Sequence, residues 1–119
     1  MTFTLPFETP SKKNSRIVNR RTGRSFPSRQ YTEWHGKALA CLLTQGIKQI
    51  EGEVQVSLVF THGTLRRRDA DNQTSSILDL LVDAGVIVDD SWKVVRKIVV
   101  ENSYKKGEDS CNICISELY

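Results

Sequence analysis

A run of arginines and aspartates in the middle of the chain contains the residue types that phosphate chemistry requires. Three consecutive arginines stand directly before two aspartates, and a second acidic pair follows the next predicted helix. In chain order these residues are Arg66, Arg67 and Arg68, then Asp69 and Asp71, then Asp89 and Asp90. Divalent cations prefer carboxylate oxygens, and guanidinium groups bind phosphates through paired hydrogen bonds. A metal held by such carboxylates activates water for phosphodiester hydrolysis, so the pattern indicates that chemistry.

Asp69 and Asp71 also have a simpler interpretation. Aspartates at the start of a helix cap free N–H groups and interact favourably with the helix dipole. Taken alone, the two residues leave the capping and metal-binding interpretations evenly balanced. The arginine run and the second acidic pair favour metal binding.

The order of these motifs resembles the RusA family of Holliday junction resolvases, which are small phage and bacterial endonucleases. The resemblance rests on Arg-Arg-Arg-Asp-x-Asp-Asn, then a helix, then Ala-Gly-Val-Ile-Val-Asp-Asp followed by Val-Val. It extends over nearly the whole chain, through an opening strand with Leu5-Pro6, a Pro-Ser-x-x-Asn segment from Pro10 to Asn14 and a closing pair of strands.

The resemblance implies a catalytic and metal-binding set of Asp69, Asp71 and Asp90, with Asp89 as a less favoured neighbour. The implied cofactor is Mg²⁺ or Mn²⁺. The implied activity is structure-selective endodeoxyribonuclease cleavage, which resolves four-way DNA junctions by paired phosphodiester hydrolysis in recombination and repair. Branched DNA is then the expected partner, and a homodimer is the expected assembly. The resemblance also implies that the protein is bacterial or phage-encoded.

One position departs from the family pattern. Members usually carry a lysine on the helix four residues after the second aspartate, where this chain has Ser75. Residues four apart share a helix face, so that lysine lies close to the metal site. Because serine supplies no positive charge, a catalytically weakened or inactive junction-binding protein of the same fold is the alternative function.

Basic residues are concentrated near the N-terminus, although the formal net charge is only +3. No acidic residue interrupts the series Lys12, Lys13, Arg16, Arg20, Arg21, Arg24 and Arg29. Such a cluster is typical of proteins that bind polyanions, so all but Arg29 are predicted to bind DNA together with Arg66, Arg67 and Arg68. A solvated basic hairpin is the other interpretation, and an accessory protein that contacts RNA or another polypeptide is a third function.

Composition predicts one compact domain over residues 1–119, since 39% hydrophobic residues in a chain of this length suffice for one core. The fold class that we predict for this domain is α+β. No apolar run approaches the roughly 20 residues that span a membrane, and no secretory signal is recognisable, so a cytoplasmic protein without membrane contact is expected. The odd number of cysteines fits a reducing compartment. Cys111 and Cys114 suggest a zinc or redox pair, but they lie in a predicted strand, where residues three apart point to opposite faces. Free thiols are the favoured interpretation.

Hydrophobic periodicity predicts a mixed sheet of four or five strands flanked by two helices. One helix is expected from Ser28 as N-cap to residue 45, before Gly46, and another over residues 72–84, before Gly85. A basic hairpin is expected around residues 20–23, and residues 53–61 alternate like a half-buried strand. The β-prone runs 92–101 and 111–118 are predicted to pair as an antiparallel hairpin. Asp71 and Asp90 can meet only if the chain folds back across this sheet.

Each of the two histidines has a structural and a functional interpretation. His35 lies beside the apolar stripe of the first helix and is interpreted as a packed or surface residue rather than a metal ligand. His62 is close to the aspartates in sequence. It is interpreted mainly as a loop residue or phosphate contact, with general acid or base catalysis as the alternative.

Overall fold

The computed structural model describes residues 1–11 and 16–118, which contain two helices, a four-stranded mixed sheet and a separate two-stranded sheet. This confirms the predicted α+β class. The elements are β1 (Thr2–Leu5), β2 (Arg16–Val18), β3 (Ser25–Pro27), α1 (Arg29–Thr44), β4 (Val54–His62), α2 (Ala70–Asp83), β5 (Val95–Tyr104) and β6 (Ser110–Glu117). Lys12, Lys13 and Asn14 lie outside the described residues.

The strand order of the main sheet is β1-β6-β4-β5. β6 runs antiparallel to β1 and β4, whereas β5 runs parallel to β4 and is joined to it by the crossover helix α2. The predicted hairpin between the last two strands is therefore wrong, because β4 lies between β5 and β6. The turn that connects them passes around the end of β4, where Lys105 N donates to His62 O at 3.0 Å and Gly107 N donates to Gly63 O at 3.0 Å.

Gly63 allows this close crossing of the two chain segments. A Cβ atom at that position would lie 2.9 Å from both Glu108 N and Asp109 Oδ1, closer than side-chain carbons approach such atoms. Its backbone N–H donates to Asp109 Oδ1 at 2.7 Å, which fastens the crossing turn to the end of β4. The strand order thus depends on a glycine whose significance only the fold reveals.

Both helices pack on one face of the main sheet. Alternate residues of β4 are buried, and cross-strand partners such as Leu58 and Ile113, or Phe60 and Cys111, lie on the same buried face. The apolar sides of α1 and α2 join these residues in a single core. Apolar burial of this kind is the main stabilising term, at about 1.5–3 kcal/mol for each large side chain.

The predicted ends of α1 are confirmed. Ser28 Oγ accepts a hydrogen bond from Tyr31 N at 3.2 Å, which satisfies one free N–H group of the first turn. Gly46 follows the helix with a φ of +85°, a conformation that residues with a Cβ rarely adopt. The buried side of the helix consists of Tyr31, Trp34, Ala38 and Leu42.

α2 begins at Ala70, two residues before the predicted start. Its core side is formed by Ile77, Leu80 and Leu81. Gly85, with a φ of +75°, lets the chain turn after the helix so that Val86 N donates back to Leu81 O at 3.0 Å. Neither helix in the described part of the chain is long and apolar enough to cross a bilayer.

The basic hairpin and the free cysteines are also confirmed. β2 pairs antiparallel with β3, and Gly23 takes a φ of +70° in the turn between them. Cys111 is buried and Cys114 is exposed, so the two thiols lie on opposite faces of β6 and form no disulfide.

Candidate active site

The first turns of α2 separate two cavities. The carboxylate groove, of about 460 Å³, lies between α2 and β5. It is lined by Ala70, Asp71, Thr74, Ser75, Leu78, Asp90, Ile98 and Val100. The polar cleft, of about 370 Å³, lies on the other side of the helix. It is lined by Glu8, Thr9, Pro10, Ser11, Gln30, Trp34, Arg66, Arg67, Arg68, Asp69 and Gln73.

The carboxylate groove brings together two of the predicted ligands. Asp71 belongs to the first turn of α2, and Asp90 belongs to the loop between α2 and β5. This loop is fixed near its start by the hydrogen bond from Ile50 N to Val86 O, 2.9 Å long, so the chain folds back and Asp90 reaches the groove that Asp71 lines. Both aspartates are exposed to solvent, which leaves their oxygens accessible to a cation or to water.

Ser75 lies in the same groove as Asp71, one helical turn further along α2. It is therefore placed where the family resemblance expects the lysine. The opposite wall, on β5, is apolar and consists of Ile98 and Val100, and Leu78 continues the apolar lining along α2. Among the described residues that line it, the groove thus has two carboxylates and no lysine or arginine.

The side chains of Asp89 and Asp90 have different surroundings. A hydrogen bond from the Ser91 side chain is the main reason that the pKa of the Asp89 carboxyl is lowered, and the backbone N–H of Asp90 contributes further. Ser91 O in turn accepts from Val94 N at 3.0 Å and from Val95 N at 2.9 Å. Asp89 therefore stabilises the turn that leads into β5, while Asp90 lines the groove.

Asp69 does not lie in the carboxylate groove. It occupies the N-cap position of α2 with an extended backbone, yet its side chain makes no capping hydrogen bond. Instead it lines the polar cleft. Among residues 1–11 and 16–118, no three histidine, cysteine, aspartate or glutamate side chains are close enough together to hold one metal ion. The structure thus brings Asp71 and Asp90 together and leaves Asp69 beside them on another side of the helix.

The three arginines before α2 are not equivalent. Arg66 and Arg67 are exposed, and within the described part of the chain their side chains have no hydrogen bond or ion pair. The Arg68 side chain is only 11% exposed, and its Nε lies 2.7 Å from Glu8 Oε1. Its Nη2 donates to Thr64 Oγ1 at 2.8 Å. Arg68 therefore holds the loop in place, whereas Arg66 and Arg67 remain available to phosphates.

The remaining predicted DNA contacts lie on the basic hairpin. Arg20, Arg21 and Arg24 are exposed on the turn between β2 and β3, and Arg16 begins β2. Asn19 Oδ1 accepts from Arg21 N at 2.9 Å, so this asparagine stabilises its own turn. The hairpin consequently presents several cations on a hydrogen-bonded turn.

Glu8 is the site residue that sequence reasoning missed. Besides Arg68, it accepts a hydrogen bond from Gln73 Nε2 at 2.7 Å and lies 3.1 Å from His62 Nδ1. The other ring nitrogen of His62 lies 2.9 Å from Asn102 Oδ1, so both nitrogens are engaged away from the carboxylate groove. The available signal was that Glu8 is the only acidic residue before Glu33 in an otherwise basic segment.

Comparison with known proteins agrees with the fold and the motifs. The family model described as endodeoxyribonuclease RusA matches residues 6–116, a span that includes both cavities. The crossover junction endodeoxyribonuclease RusA of Aquifex aeolicus (strain VF5) is 27% identical over 107 residues, which cover 89% of this chain and 83% of that protein. The chain belongs to the RusA family of endodeoxyribonucleases.

Proposed function

We propose that this protein is a metal-dependent, structure-selective endodeoxyribonuclease that resolves four-way DNA junctions during recombination and repair. The observation that carries the proposal is the meeting of Asp71 and Asp90, from different elements, in one groove of a RusA-family chain. Arg66 and Arg67, which are exposed and have no side-chain partner among the described residues, lie shortly before the helix that bears Asp71.

The donor set of the carboxylate groove fits a hard divalent cation. Mg²⁺ is usually bound through one or two carboxylates and keeps several water molecules, so it does not need a cage of three protein ligands. Asp71 and Asp90 would hold the ion, and Asp69 lies close enough in sequence to contribute if its side chain turns toward the groove. When bound, Mg²⁺ or Mn²⁺ supplies the Lewis acid that lowers the pKa of water.

The chain's own residues then bind and orient the substrate. Arg66 and Arg67 hold the phosphates that flank the scissile bond, and the N-terminus of α2 adds a favourable dipole for an anion. Three apolar residues, Leu78, Ile98 and Val100, line the groove beside the two carboxylates. Asp71 and Asp90 accept hydrogen bonds from a water molecule and thereby orient it toward phosphorus.

The basic hairpin extends the DNA-binding surface. Its arginines, together with Lys12, Lys13 and Arg16, hold the arms of the junction through backbone phosphates. Binding through phosphates releases counterions and therefore weakens steeply as salt rises.

A homodimer follows from the symmetry of the substrate. A four-way junction is nearly two-fold symmetric, and paired cuts in strands of like polarity require two sites related by the same symmetry. One protomer provides one carboxylate groove, so two protomers provide the pair.

The decisive experiment is a cleavage assay on a synthetic four-way junction with Mg²⁺ or Mn²⁺, compared with linear duplex. We expect symmetric paired cuts in the junction only, and a loss of at least about a hundredfold in Asp71→Asn, because a charged ligand is removed. Junction binding by that variant should persist or tighten, since it removes a negative charge from a phosphate site. Asp79→Asn, on the same helix outside the groove, is the matched control. Normal cutting by Asp71→Asn would refute the assignment.

The second candidate is a junction-binding protein of the same fold with weakened or lost catalysis. It is favoured by Ser75, which occupies the position in the groove where a lysine would supply positive charge. This candidate predicts selective junction binding with little or no cutting. Ser75→Lys, compared with the uncharged Ser75→Gln, separates the two functions. A large gain in cleavage for the lysine variant alone would favour the second candidate, whereas efficient cutting by the natural chain would exclude it.

A further inference from the structure

The polar cleft has the features of a ligand site that the proposed cleavage chemistry does not use. It lies across the first turns of α2 from the carboxylate groove, with Asp69 and Gln73 on its side and Asp71 on the other. Its volume of about 370 Å³ falls at the low end of the range for ligand pockets, roughly 300–1,000 Å³. It can therefore admit a small polar molecule or one nucleotide, but not a duplex.

Three side chains that line the cleft each carry a buried polar atom without a partner among the described residues. The residues are Thr9, Trp34 and Gln73, which are 2%, 6% and 3% exposed. The unpartnered atoms are Thr9 Oγ1, Trp34 Nε1 and Gln73 Oε1. Buried polar atoms in native proteins almost always have partners, so a cluster of three exceptions beside one cavity indicates a group that binds there.

The chemical character of these atoms is determined by the neighbouring contacts. Gln73 Nε2 donates to Glu8 Oε1 and to Thr9 O, both at 2.7 Å, which fixes the orientation of the amide and leaves Oε1 as the free acceptor. Trp34 Nε1 is a donor only, and the Thr9 hydroxyl can act as donor or acceptor. The wall of the cleft therefore offers both donors and acceptors.

The rim of the cleft adds positive charge. Arg66 and Arg67 both line it, and their guanidinium groups have no ion-pair partner in the described residues. A guanidinium binds phosphate through two parallel hydrogen bonds and also stacks on the flat face of a base. The donors and acceptors in the wall of the cleft match the edge of a base. The two arginines at the rim match the phosphate of the same nucleotide.

We propose that the polar cleft binds one unstacked nucleotide of the DNA substrate, adjacent to the phosphate held at the carboxylate groove. This rests on the proposed junction cleavage, because the strand must cross the start of α2 to reach both cavities. Extruding a base costs least where stacking is already interrupted, as at a branch point. Thr9, Trp34 and Gln73 are then specificity residues that favour particular bases at that position.

The test uses four-way junctions that carry 2-aminopurine at single positions around the branch point, bound to Asp71→Asn so that no strand is cut. We expect fluorescence to rise at one position, because 2-aminopurine brightens when it leaves the stack. Thr9→Val removes one hydroxyl with little change of shape, and it should lower that response at least about twofold and weaken junction binding about threefold to tenfold. Trp34→Phe should act in the same direction.

Thr4→Val is the matched control, because the Thr4 hydroxyl is exposed and bonded to Asn112 Oδ1 away from the cleft. Thermal unfolding separates binding from folding: loss of an unpartnered buried hydroxyl should leave the Tm of Thr9→Val unchanged or higher. Junction binding without a fluorescence rise at any position would overturn the nucleotide site and leave the proposed function standing. A response that Thr9→Val and Trp34→Phe leave intact would also overturn it. Failure to bind the junction at all would overturn both proposals.

Discussion

Arg68 and Glu8 meet at 2.7 Å between Nε and Oε1, although one precedes α2 and the other follows β1. The same Glu8 carboxylate accepts from Gln73 on α2 and contacts His62 at the end of β4. Glu8 therefore joins the N-terminal segment to the loop that carries Arg66 and Arg67. Through Arg68 it positions the loop between the polar cleft and the carboxylate groove.

Glu8→Gln should destabilise the protein by about 2–3 kcal/mol, because it leaves the largely buried Arg68 charge without its partner. Urea unfolding of the variant and the natural chain measures the loss. The matched control is Glu33→Gln, which breaks the exposed pair between Arg29 and Glu33 and should cost less than about 0.5 kcal/mol. Equal effects of the two variants would show that the Glu8 network contributes no more than a surface ion pair.

Asp90→Asn and Asp89→Asn should have different effects, although the two residues are adjacent. Asp90 lines the groove, so its variant should lose cleavage at least about a hundredfold with little loss of stability. Asp89 is held by Ser91 and the loop backbone, so its variant should keep most activity and unfold at a slightly lower temperature. Cleavage rates and Tm values of both proteins check this. A greater loss of cleavage in the Asp89 variant would reverse the assignment.

Arg67→Gln and Arg68→Gln should separate DNA binding from folding. Arg67 is exposed and has no partner in the described part of the chain. Its loss should therefore weaken junction binding and reduce the slope of the log binding constant against log salt by about one unit. Arg68 is engaged by Glu8 and Thr64, so its loss should chiefly lower stability. Salt titrations of junction binding and urea unfolding give the two readouts. An unchanged salt slope for Arg67→Gln would remove Arg67 from the phosphate contacts.

Cys111 should make stability decline in alkaline solution. Burial, together with the charge of Glu8, raises the pKa of its thiol from 9.0 to about 12. Below pH 9 the thiol is protonated in both states; between pH 9 and about 12 it ionises only in the unfolded state, which favours unfolding. The natural chain should therefore lose about 2–3 kcal/mol relative to Cys111→Ala between pH 8 and pH 11.

Urea unfolding at several pH values tests this difference. Burial also raises the pKa of Tyr31 to about 12, but that contribution is common to both proteins and cancels in the comparison. Cys114→Ala, which removes the exposed thiol on the opposite face of β6, should follow the natural chain. Parallel pH curves for the natural chain and Cys111→Ala would contradict the expected role of burial.

Local patterns in the sequence were sufficient to predict most of the secondary structure. α1, its Ser28 cap, the alternating strand β4 and the basic hairpin with Gly23 all depend on neighbours within a few residues. The family membership was equally accessible, because its motif is a run of residue types at short spacing. The physical reason is that capping, periodicity and turn conformation are properties of short segments.

Pairing between distant segments required the tertiary structure. The sequence predicted that the strand after α2 pairs with β6 as a hairpin. In the structure β4 lies between β5 and β6. The prediction failed because local turn residues do not specify which strand a segment pairs with. The role of Glu8 was hidden for the same reason, since its partners Arg68, His62 and Gln73 are all remote in sequence.

The prediction of the aspartate site required both the sequence and the tertiary structure. Their residue types and spacing were sufficient to predict phosphate chemistry. The tertiary structure then placed Asp71 with Asp90 in one groove and Asp69 in the polar cleft. Residues two apart point to the same side of a strand but to nearly opposite sides of a helix, and α2 begins just after Asp69. That start, together with the return of the loop to the groove, determined which carboxylates share a site.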